Sequence, residues 1–338
     1  MKTKFKSVTL CASFLVVLGA GFTHCTSKSS KKKLTIYTSV YKEVIAIYGV
    51  ELQKAFPDVD FDWYQAGSEN VASRVNAEIQ GGGVRADLLM SSDIFFYQEL
   101  KKQGQLQPIV PNLLEKLPAG FMDADRMYAV NRFPVMIIAV NSRKIAAKDR
   151  PKSFKDLIKP EFKDKIAMPS PMESGTALAT SLYFSHFFGP DYFSGLRKNN
   201  IVAAGGNGAT LSRVESGEKP IAIVLMENVL QAREKGTDWI DFIIPEEGAL
   251  AIPSPIAIFK SSHDAELANR VLAWFASESS SDILTKGWIY SAYPESKPPN
   301  GAPKWKDLKM ASWDLKSMEQ WGLERQKIKD LFQNTVLK

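Results

Sequence analysis

The most informative segment for the fold of this chain is Tyr128-Ala-Val-Asn-Arg-Phe-Pro-Val-Met-Ile-Ile-Ala-Val140. It is a long β-rich run, and a second run, Ile252-Pro-Ser-Pro-Ile-Ala-Ile-Phe259, returns after a further series of strands and helices. Short apolar strands alternate with amphipathic helices before the first run and again between the two runs. The two runs therefore predict two strands that cross between two α/β lobes, and the first lobe is discontinuous along the chain.

The segment ahead of the first crossing predicts three parallel βα units. The sequence favours strands at 34–37, 59–63 and 86–90, with helices at 42–56, 69–80 and from 91–93 to 103. A similar series fills the segment between the crossings. We expect an α/β fold with mixed sheets, in which residues 34–134 and 257–338 form the first lobe and residues 135–256 form the second.

The N-terminal region indicates export. Three lysines precede an apolar stretch over 8–22, which is too short for a comfortable membrane span but typical of a secretory signal. Cys25 follows, ahead of a polar segment, and this order resembles a bacterial lipoprotein signal. We expect a signal peptide over 1–24, a lipidated Cys25 and a tether over 25–33. Because residues 22–24 (Phe-Thr-His) depart from the usual Leu-led tripeptide, an ordinary cleaved signal is the alternative.

Composition argues against several classes of function. The formal net charge is +6, and three of the lysines lie in the predicted signal, so the rest of the chain is too weakly basic to indicate nucleic acid binding. Cys11 leaves with the signal, so Cys25 has no disulfide partner. The sequence lacks a nucleophile elbow, a P-loop and a metal triad. We therefore expect no catalysis and no resident cofactor, with a surface-anchored α/β enzyme as the remaining alternative.

Polar loops follow the predicted strands, at the edge where open parallel sheets bind ligands. The candidate ligand-binding residues are Tyr41, Ser91, Ser92, Ser174, Gly175, Thr176, Asn207, Glu227 and Asn228. Ser174 and Thr176 stand at a predicted helix start, where hydroxyls and free N–H groups form an anion site, although helix capping alone also favours them. A carboxylate such as Glu227 beside those hydroxyls would suit a zwitterion or a metal ion.

Several segments, in this order along the chain, resemble the solute-binding proteins of ABC importers that take ferric iron, thiamine, polyamines or phosphonates. They are Leu34-Thr-Ile-Tyr-Thr-Ser39, Ala86-Asp-Leu-Leu-Met90, Pro151-Lys-Ser-Phe-Lys-Asp-Leu157, Phe162-Lys-Asp-Lys-Ile-Ala-Met-Pro169, Gly217-Glu-Lys-Pro-Ile-Ala222 and Ile252-Pro-Ser-Pro-Ile-Ala257. The resemblance implies a type II periplasmic-binding-protein fold, the Venus flytrap, whose hinge closes on a solute. It also implies a permease and an ATPase as partners, a periplasmic or cell-surface location, and a monomer.

The resemblance leaves two classes of ligand open. Relatives with the Ile-Pro-Ser-Pro-Ile-Ala stretch are commonly grouped with iron binders, so the first expectation is Fe(III), held through Glu227 and Tyr41. Ferric binders typically carry two adjacent tyrosines after the strand matching 221–225, whereas this chain has Met226-Glu227-Asn228 there. The alternative is a small oxyanion, namely a phosphonate, sugar phosphate or carboxylate, bound at Ser174-Gly175-Thr176, a tripeptide that resembles anion-binding relatives.

Overall fold

The structure is a computed structural model that describes residues 31–110, 114–313, 318 and 320–338. The predicted signal peptide over 1–24 and the predicted lipidation site Cys25 lie outside these residues. Among the residues described, no helix is both long and apolar enough to cross a membrane. Residues Lys32–Lys338 form one compact unit that contains two β-sheets.

The first sheet takes its strands from both ends of this unit. They are β1 (Lys32–Thr38), β2 (Val59–Gln65), β3 (Leu88–Met90), β4 (Leu106–Gln107), β5 (Ala129–Phe133), β12 (Ser254–Phe259) and β13 (Tyr290–Ser291). The sheet order is β13-β5-β12-β3-β1-β2, with β4 also beside β12. Strand β1 is parallel to β2 and β3, whereas β12 is antiparallel to β3, β4 and β5. The associated helices are α1 (Lys42–Ala55), α2 (Ser68–Gln80), α3 (Ile94–Lys102), α8 (Ala265–Phe275) and α9 (Glu278–Lys286).

The second sheet is built from the middle of the chain. Its strands are β6 (Val135–Asn141), β7 (Ile166–Met168), β8 (Val202–Ala203), β9 (Ile221–Leu225), β10 (Ile240–Ile243) and β11 (Leu250–Ala251), in the order β10-β6-β9-β7-β8 with β11 also on β6. Its helices are α4 (Gly175–Phe188), α5 (Asp191–Lys198), α6 (Asn207–Ser216) and α7 (Met226–Glu234). Every residue of β6 and β9 is buried, as expected for strands covered on both faces.

The chain changes sheet twice. Strand β5 belongs to the first sheet and β6 to the second, and only Pro134 separates them. Since proline has no N–H to donate, it ends one ladder before the next begins. The return runs from β11 to β12 through Ile252, whose N–H donates to the carbonyl of Pro134 at 2.8 Å, so the two crossings are bonded to each other. The predicted two-lobed α/β fold with mixed sheets and two crossing strands is confirmed.

The C-terminal residues contact both lobes. The last helix, α10 (Arg325–Phe332), packs on α4, and the π-helical turn Gln333–Leu337 packs on α5. On its other side, Arg325 donates to the carboxylates of Glu69 and Asp93 at the starts of α2 and α3. The lobe boundaries proposed from the sequence remain predictions, and this helix bridges the two lobes. Short 3-10 turns occupy Ala119–Phe121, Ala147–Asp149, Lys155–Ile158, Pro160–Phe162, Trp305–Asp307 and Gly322–Glu324.

Two glycines let the lobes touch along one edge of the cleft. A Cβ on Gly67 of the first lobe would stand 2.8 Å from the carbonyl oxygen of Glu173 in the second. A Cβ on Gly175 would stand 2.7 Å from Cβ of Asp93 and 2.8 Å from the carbonyl oxygen of Ser92. Such contacts leave no room for any larger residue. The lobes are therefore closed on each other.

Candidate ligand-binding cleft

A cavity of about 190 Å³ lies where the strand ends of the two sheets face each other. Loops after β1, β2 and β3 supply one wall, and the starts of α4, α6 and α7 supply the other. This is the position expected for a ligand at the carboxyl ends of parallel strands. The lining residues are Ser39, Val40, Tyr41, Gln65, Ala66, Gly67, Ser68, Ser92, Arg132, Pro134, Glu173, Ser174, Thr176, Gly206, Asn207, Gly208, Leu225, Glu227 and Ile289. The volume, below the roughly 300 Å³ of sites for drug-sized ligands, suits a compact solute.

Hydroxyl and amide groups lie together on the second-lobe wall, beside the Glu173 carboxylate, whose Oε1 accepts from the N–H of Gly205 at 3.0 Å. The Ser174 hydroxyl caps α4 by accepting from the N–H of Ala177 at 3.3 Å, and it lies 2.9 Å from the Thr176 hydroxyl. Asn207 Nδ2, at the start of α6, donates to Thr176 Oγ1 at 3.1 Å. The N-terminal ends of α4 and α6 therefore meet at one wall of the cavity. Helix N-termini carry a partial positive charge, so this wall favours negatively charged groups.

Arg132 is the cation of the cavity. It stands near the end of β5, with only 1% of its surface exposed. Its Nη1 donates to Asn131 Oδ1 at 3.0 Å and its Nη2 to Ser92 Oγ at 3.2 Å, and both acceptors are neutral. Burial lowers the pKa of the guanidinium, yet arginine stays charged in proteins. Among the described residues no carboxylate forms an ion pair with it, and Glu227 acts on it only through the longer-range electrostatic field. The cavity wall therefore presents a positive charge that no direct carboxylate contact neutralises.

Glu227 is a buried carboxyl group on the opposite lobe. Its side chain is 4% exposed, and Oε2 accepts from the N–H of Val135 at 3.4 Å. Its Oε1 has no hydrogen-bond partner among the described residues. Burial raises the pKa of Glu227 to about 8, because the charged carboxylate loses its hydration. The empty site therefore disfavours the charged form of this group, and a ligand that supplies a positive charge would favour it.

A hydrogen bond closes the cleft beside these groups. The Tyr41 hydroxyl of the first lobe donates to Asn228 Oδ1 of the second at 3.0 Å. Burial, and then the nearby Glu227, raise the pKa of the Tyr41 phenol well above its ordinary value. Deprotonation of Tyr41 is therefore unfavourable, and the phenol serves as a hydrogen-bond donor between the lobes.

The structure places six of the nine predicted binding residues on the cavity wall, namely Tyr41, Ser92, Ser174, Thr176, Asn207 and Glu227. Three lie beside it instead. The Ser91 hydroxyl is buried without a partner among the described residues, Gly175 packs against Asp93, and Asn228 binds Tyr41. Binding itself is a prediction for all nine residues.

Sequence reasoning did not point to Arg132, and it placed the loops 38–41 and 65–68 at the ligand edge without singling out Ser39 or Gly67. The signal for Arg132 was present, since an arginine inside a largely apolar crossing run is unusual. Buried arginines need anionic or polar partners, and this requirement singles the residue out.

The same geometry bears on metal binding. Among the described residues, no group of three or more His, Cys, Asp or Glu side chains is arranged to hold a metal ion. The predicted iron ligands Tyr41 and Glu227 both line the cavity, but each is protonated more readily than usual. Fe(III) favours anionic oxygen donors, so this pair is poorly prepared for it.

Known proteins resemble the chain over most of its length. A periplasmic protein of Salmonella typhi named for 2-aminoethylphosphonate binding is 21% identical over 306 residues, which cover 83% of this chain and 86% of the relative. The major ferric iron-binding protein of Neisseria meningitidis serogroup B is 25% identical over 286 residues, covering 77% and 80%. Among solved structures, the periplasmic binding protein AfuA from Actinobacillus pleuropneumoniae, with fructose-6-phosphate bound, has a TM-score of 0.80 at 20% identity and covers 91% of this chain and 99% of its own.

The family assignment follows from a match to a family model. The model of the bacterial extracellular solute-binding protein family matches residues 85–316, which is most of the chain. This match confirms the resemblance seen in the sequence, and it agrees with the two-lobed fold and the cleft between the lobes. The chain is a member of the bacterial extracellular solute-binding proteins, a family of binding proteins and not of enzymes.

Proposed function

We propose that the chain captures a small solute bearing a phosphate or phosphonate group and delivers it to the permease and ATPase of an ABC importer. One observation is the main support for this class of ligand. Arg132 is buried at the cavity wall and forms no ion pair with a carboxylate among the described residues. A buried charge without a partner is unfavourable. An oxyanion in the cavity would supply the partner through charge-assisted hydrogen bonds.

The second-lobe wall supports the same class of ligand. The Ser174 and Thr176 hydroxyls and the Asn207 amide stand opposite Arg132, at the positive ends of α4 and α6. A tetrahedral oxyanion offers several acceptor oxygens and can meet donors on both lobes at once. The ligands named for the Salmonella relative and for AfuA both carry a phosphorus oxyanion. Bridging both lobes would also explain how the ligand holds the cleft closed.

Fe(III) is the second candidate, since a ferric iron-binding protein is among the relatives and Tyr41 and Glu227 line the cavity. Two features weigh against it. The Tyr41 phenol already donates to Asn228, and its pKa is raised by burial. An iron ion would also share a small cavity with the guanidinium of Arg132, and like charges repel each other in a buried site.

Calorimetric titration of the purified protein, stripped of ligand by unfolding and refolding, tests the proposal. We expect methylphosphonate, 2-aminoethylphosphonate or fructose-6-phosphate to bind, while neutral fructose does not. Ferric citrate serves as the competing probe. A visible charge-transfer band and a raised melting temperature with ferric citrate, without any binding of the phosphorus oxyanions, would refute the proposal in favour of iron.

We also propose that the chain works in the periplasm or at the cell surface, held there by a lipid on Cys25. The apolar segment followed by this cysteine supports the proposal, as do relatives named as periplasmic proteins. Metabolic labelling with a fatty acid should mark the wild-type chain and leave Cys25→Ser unlabelled. Equal labelling of both chains, or labelling of neither, would exclude the anchor.

A further inference from the structure

A second cavity, of about 250 Å³, lies beyond the first. Tyr41 and Glu227 line both cavities, so the two spaces share a wall. The second one is bordered by α1 of the first lobe, by α7 of the second lobe, and by the turn that follows α9. Both lobes contribute to it, and its shape therefore depends on closure in the same way as the first.

The walls of the second cavity are largely apolar. Val44 and Ile47 on α1 face it together with the Trp288 indole and the Tyr41 ring. Trp288 has φ of 61°, a left-handed conformation that is costly for a bulky residue. Ile47 remains 38% exposed, although large aliphatic residues are usually buried. These side chains offer apolar surface that a ligand would cover.

One buried polar atom at the shared wall lacks a hydrogen-bond partner among the described residues. Oε1 of Glu227 is buried and has no partner among the described residues, and neither Lys235 nor Lys286, which also line the cavity, bonds to it. An unmatched buried acceptor costs about 1–3 kcal/mol. An ammonium group would satisfy it, and the rings of Tyr41 and Trp288 would attract the same cation. Because burial raises the pKa of Glu227, a positively charged ligand group beside it would stabilise its carboxylate form.

We propose that the second cavity is a subsite for the same ligand, which is an organic phosphonate or phosphate carrying an amine with an apolar substituent. The oxyanion occupies the first cavity, the ammonium faces Glu227, and the substituent lies between α1 and Trp288. This inference rests on the proposed function, since it places the rest of an anionic ligand. Together the two cavities reach the range of roughly 300–1,000 Å³ that is typical of organic ligands.

Three probes of increasing length test the subsite by calorimetry: methylphosphonate, 2-aminoethylphosphonate and N-benzyl-2-aminoethylphosphonate. We expect affinity to rise along the series, and the benzyl group to add roughly tenfold through burial of apolar surface. Glu227→Gln should lower the affinity of both amine probes about tenfold relative to methylphosphonate, because the charge pair is lost.

Ile47→Gln and Val50→Gln form a matched pair on α1. Ile47 lines the second cavity, whereas Val50 is 56% exposed and lines neither cavity. Ile47→Gln should reduce the advantage of the benzyl probe about fivefold, and Val50→Gln should not change it. Equal affinity for all three probes, or equal effects of the two variants, would overturn the subsite while leaving the proposed function intact. Failure of all three probes and of fructose-6-phosphate to bind would overturn the proposed function, and the subsite with it.

Discussion

Replacing Arg132 by methionine separates a binding role from a structural one. The guanidinium makes two hydrogen bonds to neutral groups of described residues, which use two of its five N–H donors. If an oxyanion accepts two of the others, and each bond to a charged group contributes about 1.5–3 kcal/mol, the variant loses about 3–6 kcal/mol of binding free energy. Since each 1.4 kcal/mol is tenfold, Kd should rise at least about a hundredfold.

The stability of the ligand-free protein should respond differently. Removing a buried charge that has no partner, and filling its place with an apolar chain of similar length, is often neutral or stabilising. We therefore expect Arg132→Met to keep the melting temperature of the ligand-free wild type in calorimetric scans. Arg143→Met is the matched control, because Arg143 lies in the second lobe with 62% of its side chain exposed and does not line the cavity.

Calorimetric titration with methylphosphonate measures the affinity of each variant. If Arg132→Met binds as tightly as the wild type, Arg132 does not contact the ligand. If the ligand-free variant melts far below the wild type, Arg132 is a structural residue whose charge is already compensated, and its proposed binding role is wrong. Arg143→Met should match the wild type in both measurements.

Three further predictions concern closure, the buried acid and the C-terminal helix. Gly175→Ala should raise Kd at least about tenfold, because its Cβ would clash with Asp93 when the lobes close. Gly49→Ala is the control, since it has open space around it and should leave Kd unchanged. Equal ligand-induced compaction of the two variants in X-ray scattering would contradict the predicted clash. Glu227 has a folded-state pKa of about 8, above its unfolded value, so its contribution to stability is present at low pH and is lost as pH rises towards 8. Between pH 6 and pH 9 the wild type should lose about 2–3 kcal/mol more unfolding free energy than Glu227→Gln, as measured by urea unfolding. If the unfolding free energies of the two proteins change in parallel with pH, Glu227 does not have the raised pKa. Arg325→Met should cost about 3–5 kcal/mol in urea unfolding, because the buried Asp93 loses its cation and Glu69 keeps only Lys329. Lys327→Met on the exposed face should cost almost nothing.

Local patterns were enough for much of the fold. The sequence predicted helices over 42–56 and 69–80, and the structure has them at Lys42–Ala55 and Ser68–Gln80. These elements follow from hydrophobic periodicity and capping, which act over a few residues. The first residue of α10 shows the limit of such reasoning. Nothing in its local pattern indicates that Arg325 would reach carboxylates more than two hundred residues away on the first lobe.

Local sequence patterns likewise predicted only part of the candidate site. Strand order in βα units sets where loops emerge, so the local pattern was sufficient to place Ser92, Ser174 and Glu227 after strands and at the beginnings of helices. The folded arrangement was needed to show which of Ser91 and Ser92 faces the cavity, and that Arg132 supplies its positive charge. Those outcomes depend on strand register and lobe closure, which bring together residues far apart in the chain. Burial and the loss of water are properties of that assembled cleft, and they set the charge state of each group in it.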